Sequence, residues 1–122
     1  MKRMTEDEVF QFYEEIGPIL FEAANNGDHK TCNKIGKKKI QVFKQFEEDT
    51  EYGQKCINRL LLSNNAVVRS EAAAYCLAMN YRIQDAVSIL EEYSSDTSLG
   101  IYRLNAEMTL KVWNKNGQLK LY

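Results

Sequence analysis

With 122 residues, 44% of them apolar, the chain can form one domain with a single core and is too short for two ordinary ones. One proline, six glycines and short β-branched runs favour long helices, so the expected class is all-α. A formal net charge of −1 argues against nucleic acid as a general partner, because such binding needs a basic excess to release counterions from phosphates.

Thr5-Glu6-Asp7-Glu8 reads as a capping box, with Thr5 as N-cap and Glu8 three residues on. Val9, Phe12, Tyr13, Ile16, Ile19, Leu20 and Ala23 then recur at helical spacing. Pro18 removes a backbone hydrogen bond and clashes with the preceding turn, so Gly17-Pro18 predicts a kink or short break. Asn25-Asn26-Gly27-Asp28 ends this helix, with Gly27 suited to a left-handed cap. Asp28 can cap a second helix that turns Cys32, Ile35, Gly36, Ile40, Phe43 and Phe46 inward. Residues 5–49 thus form an N-terminal helical hairpin.

The third helix is predicted from Glu51 to Leu62, with Tyr52, Cys56, Ile57, Leu60 and Leu61 inward. Ser63-Asn64-Asn65 supplies a turn and N-cap chemistry for a fourth, from Ala66 to Met79. There Val68, Ala72 and Cys76 stand four apart with Ala73 and Leu77 beside them, and such small residues let helices approach closely. Asn80-Tyr81 makes a turn, and a fifth helix runs from Ile83 to Tyr93 with Ile83, Ala86, Val87, Ile89 and Leu90 apolar. Ser94 to Ser98 is a polar loop, and a sixth helix is expected from Leu99 to Asn114, ended by Gly117. Residues 50–115 are therefore two helix pairs and 116–122 a tail. An echo at an offset of 34 residues sets Arg69 on Arg103, Ala72 on Ala106 and Cys76 on Leu110, a period that suits a helix-pair repeat.

On the stretch Leu60 to Leu77, and on that echo, residues 60–113 resemble HEAT-type α-α repeats. More narrowly, the segments Asn65 to Ala74, Ala86 to Glu91 and Asn105 to Leu110 resemble a small bacterial family of all-helical, HEAT-like domains of uncharacterised function. That resemblance implies an α-α superhelix, HEAT/armadillo-like, in which an N-terminal hairpin precedes two helix-pair repeats within one domain, 1–122. It implies an inter-repeat polar ladder containing Arg69, with Arg103 as counterpart. Ala72, Ala73 and Ala106 would lie where the repeats pack. Some small helical domains of this kind resemble immunity proteins of contact-dependent growth inhibition, which bind a cognate toxin, often a nuclease, and block it.

Catalytic chemistry finds little footing. His29 is the only histidine; with Cys32 three residues on it makes two ligands at most, and a metal site needs several that converge. The same pair lacks a third group to orient a nucleophile. Glu14-Glu15, Glu47-Glu48 and Glu91-Glu92 are sequence neighbours, which a helix points about 100° apart, so no pair meets one substrate atom. Gly36-Lys37-Lys38-Lys39 lacks the upstream glycine and the Ser/Thr of a phosphate loop. No metal and no cofactor is expected. Cys32, Cys56 and Cys76 are odd in number and have no CxxC spacing, so they read as reduced thiols.

Binding fits better. Glu47, Glu48, Asp49 and Glu51 form one acidic set and Glu91, Glu92 and Asp96 another, each able to steer a basic partner. Tyr81 and Tyr93 are candidate aromatic anchors among seven tyrosines and one tryptophan. The leading expectation is a non-enzymatic immunity protein whose partner is a cognate toxin. A HEAT-like scaffold or adaptor is the alternative, followed by nucleic-acid binding through Lys34, Lys37, Lys38 and Lys39. The start, Met1 to Glu8, has no apolar run of a signal peptide, and apolar runs elsewhere are short, so a soluble cytoplasmic protein away from the membrane is expected.

Overall fold

The computed structural model describes residues 2–122. Those residues are all-helical: α1 Glu6–Asn25, α2 His29–Glu48, α3 Thr50–Leu60, α4 Ala66–Ala78, α5 Ile83–Ser94 and α6 Ile101–Asn116, with a 3-10 turn at Thr97–Leu99.

Local chemistry starts most of these helices where it should. The Thr5 box closes in both directions: the Glu8 N–H donates to Thr5 Oγ1 at 3.1 Å and the Thr5 N–H to Glu8 Oε1 at 3.0 Å. Asp28 accepts the Thr31 N–H at 3.1 Å and the Thr31 hydroxyl at 2.7 Å, bonds that hold its carboxyl below the ordinary value. Asp49 accepts the Tyr52 N–H at 3.2 Å, and Asn65 Oδ1 accepts from Val67 at 2.9 Å and Val68 at 3.2 Å.

Several helix limits shift from the sequence expectation, and three departures shape the packing. Helix α1 runs unbroken through Pro18, which lies on its exposed side while buried Ile16, Gly17 and Leu20 anchor the turns around it. Gly17 serves a different purpose: a Cβ there would come within 2.9 Å of the Asn65 side chain, so its absence admits the α4 N-cap. Helix α3 stops at Leu60, and the chain turns there as Ser63 N–H donates to the Leu60 carbonyl at 3.1 Å. Helix α6 begins at Ile101 rather than Leu99, because Gly100 adopts φ 57°. The Ile101 N–H is capped from afar by Asn25 Oδ1 at 2.9 Å, and a Cβ on Gly100 would meet that oxygen at 2.1 Å.

The core is aromatic where α1, α2 and α4 meet. Tyr75 stacks on Phe43 with ring centroids 5.0 Å apart and meets Tyr13 and Phe46 edge-on at 6.0 and 5.9 Å. The Tyr13 and Tyr75 hydroxyls share a hydrogen bond in this otherwise apolar interior. Burial raises both phenols well above their ordinary pKa. Ala72, Ala73 and Ala106 are buried, as their small size predicted. Helix α5 packs between α4 and α6, and α1 packs on α2, α3 and α4 before its end reaches α6.

Candidate functional site

The chemically richest hollow lies where the end of α3 meets α4 and α5. It is a groove of about 280 Å³ lined by Leu61, Leu62, Arg69, Arg82, Asp85, Ser88, Ile89 and Glu92. The α5 residues stand three and four apart, so one helix face sets Ser88 and Ile89 between two carboxylates. Leu62 enters because α3 has already ended: of three successive leucines, Leu60 and Leu61 are buried and Leu62 is 82% exposed.

Two guanidinium groups frame the groove. Arg82 Nε donates to Asp85 Oδ2 at 2.8 Å and Nη1 to Asn58 Oδ1 at 3.0 Å. Its backbone sits at φ 49°, beside Asn80 at φ 53°, so two non-glycine residues in the left-handed region shape the α4–α5 turn. Arg69 lies 5.8 Å from the centroid of the Tyr93 ring, and its Nε is buried without a hydrogen-bond partner. The guanidinium also hydrogen-bonds Tyr93, so Arg69 is held between the α4 and α5 faces.

Tyr93 is therefore not an exposed anchor. It is 5% exposed, because its spacing from Ile89 and Leu90 turns it to the core face of α5, where its ring lies beneath the Arg69 guanidinium. Burial raises its phenol pKa, and the Arg69 charge works against that rise. Tyr81 is half-buried and its hydroxyl donates to Asn58 Oδ1 at 2.7 Å, so it braces the groove rim through the acceptor that Arg82 also uses.

The acidic sets separate. Glu47, Glu48, Asp49 and Glu51 sit at the α2–α3 junction beside the start of α1, where Arg3 pairs with Asp49 at 3.0 Å. Glu91, Glu92 and Asp96 sit past the middle of α5, near the end of α1, so the two sets occupy opposite ends of the helix stack. Several members have internal work. Glu47 accepts from the Tyr122 hydroxyl, and Glu51 pairs with Lys55 at 3.4 Å. Asp96 caps the 3-10 turn through Ser98. The Asp49 carboxyl is held below its usual value, first by the Tyr52 N–H and then by Arg3. Glu48 and Glu91 are exposed, and Glu92 enters the groove. Both Glu-Glu pairs stand in the last turn of a helix with no basic residue there, against the helix dipole, which is a sign of placement for something other than helix stability.

The basic row of α2 is divided. Lys39 pairs with Glu71 at 2.7 Å with both side chains mostly buried, and Lys38 Nζ lies 4.7 Å over the Phe12 ring. Lys34 and Lys37 stay exposed. Arg103 is half-buried on α6. His29 is exposed at the α2 start and Cys32 half-buried; burial pushes the Cys56 and Cys76 thiols up to about 11. Among the described residues no three His, Cys, Asp or Glu side chains gather as a metal site, and no helix is long and apolar enough to cross a membrane.

No protein-family model, curated protein or solved structure matches the chain. Sequence reasoning reached Arg69 and Glu92 of the groove and missed Leu62, Arg82 and Asp85. The triple leucine was a usable signal, since three consecutive residues cannot share one helix face. The left-handed Arg82 left no mark in the sequence.

Proposed function

We propose that this chain is a non-enzymatic protein-binding module that docks a partner segment into the α3–α4–α5 groove. The observation that carries this reading is the groove's composition: an exposed leucine and two arginines beside a helix face with a carboxylate at each end. Arginine and apolar anchors in such a hollow match the makeup of interface hot spots. We infer further that the chain is a cytoplasmic immunity protein that neutralises a cognate bacterial toxin. The resemblance of its second half to HEAT-like domains supports this, and so do the glutamates placed against helix dipoles, which would steer a basic toxin. In this reading α3–α4 and α5–α6 are the two HEAT-like pairs behind an α1–α2 hairpin, supported by the packing of α1 on α2 and of α5 on α6. A HEAT-like scaffold or adaptor is the second reading, since the same groove would hold a segment of any partner with matching chemistry.

The test is co-expression and binding with the product of the neighbouring gene. That product should be toxic without this chain and harmless with it. Leu62→Asp and Arg69→Ala should each weaken the complex roughly tenfold or more while leaving the helical spectrum unchanged. A neighbour that is harmless on its own, or bound no better than unrelated proteins, removes the immunity reading. Full affinity in both variants removes the groove.

A further inference from the structure

Helix α6 carries two apolar faces, and the fold uses one. Tyr102 and Ala106 are buried, and Leu110 and Trp113 pack against the core behind them. A helix advances about 100° per residue, so Ile101, Leu104, Met108 and Val112 fall in a narrow arc on the far side. They are 38%, 46%, 64% and 39% exposed, four of the seven large apolar side chains exposed among the described residues. A helix packed on one side needs one apolar stripe; a second stripe marks a second packing surface.

We propose that this stripe is a self-association surface, joining two copies of the chain through an antiparallel α6–α6 contact about a two-fold axis at Met108. The flanking charges select this occupant. Glu107 and Lys111 lie along one edge of the stripe and form an i,i+4 pair, 3.3 Å apart, with the lysine 74% exposed. A two-fold axis across the helices keeps that edge on the same side of both copies and reverses its direction. At a rise of about 1.5 Å per residue, Lys111 of one copy then falls within about 3 Å, along the axis, of Glu107 of the other. The pairing occurs twice by symmetry. Leu104 meets Val112 of the second copy, and Met108 meets its own image. A parallel arrangement would instead carry that edge to opposite sides of the contact in the two copies, leaving Lys111 of one without Glu107 of the other.

Sixteen residues of one helix make a contact smaller than a standard stable interface, so the dimer is weak and its population rises with concentration. Sedimentation from micromolar to millimolar protein should show a reversible monomer–dimer equilibrium. Met108→Glu should remain monomeric with an unchanged helical spectrum and melting temperature. Lys111→Glu should weaken the dimer about five- to tenfold. The double reversal Glu107→Lys with Lys111→Glu should restore it. A wild-type chain that stays monomeric at millimolar concentration overturns the proposal, as does a Met108→Glu variant that still dimerises. A double reversal no better than the single one overturns the antiparallel pairing.

Discussion

The α1–α4 block and the α5–α6 pair solve the problem of burial differently. In the first, Tyr13, Phe43, Phe46 and Tyr75 interlock, and several polar groups taken inside are matched: Tyr13 with Tyr75, Lys39 with Glu71, Ser63 with Glu14. The second buries Ala86, Leu90 and Ala106 beside Tyr93 and Tyr102, has no side-chain cap at the start of α5, and borrows Asn25 to begin α6. The block leaves the Arg69 Nε and the Ser70 Oγ of α4 buried without a partner, whereas the pair leaves an apolar stripe on α6. Surfaces offered to other molecules concentrate where a fold has not used its own binding capacity.

The largest expected effect breaks the block. Phe43 is 2% exposed and touches Phe46, Tyr75 and Tyr122, so Phe43→Ala should cost about 3–5 kcal/mol by urea unfolding. A loss under 1 kcal/mol, on the order of one surface change, would mean that the ring cluster is not the centre of stability.

A subtler effect separates matched burial from mere size. Tyr13→Phe should cost about 1–3 kcal/mol, because it strands the Tyr75 hydroxyl, while the double change to phenylalanine should lie close to the parent. The same pair governs alkaline behaviour. Both folded pKa values are raised above the ordinary 10.0, so the native state keeps its protons longer than the unfolded chain. Their contribution is complete below that value and declines as pH rises above it. The parent should unfold cooperatively in alkali, and the doubly substituted chain should resist to higher pH. Equal alkaline midpoints would show that other groups set the limit.

The smallest expected effect falls on the pair. Leu104→Ser on the α6 stripe should shift stability by no more than about 0.5 kcal/mol under dilute, monomeric conditions, because the side chain is 46% exposed. A melt as depressed as that of Phe43→Ala would erase the distinction between the two regions.

Much of the fold was legible in the amino-acid order. Helix starts at Thr5, Asp28 and Asn65 followed from short polar side chains bonding N–H groups two or three residues on, and the inward faces followed from spacings of three and four. Both are local, so they survive whatever the rest of the chain does. The site was less legible. Tyr93 looked available and lies under Arg69; the two acidic sets looked equivalent and stand apart; Leu62 was read only as the end of α3 and projects outward beyond it. The same holds for Gly17, which admits the α4 cap instead of breaking α1, and for Gly100, whose bare Cα lets Asn25 begin α6. Composition and period determined that the chain is helical and where most helices begin, because each cap and stripe needs only neighbours within a turn or two. Which faces were covered, and which donor went unpaired, was decided by the tertiary structure, because burial depends on residues distant in sequence that helix packing brings within a few ångströms.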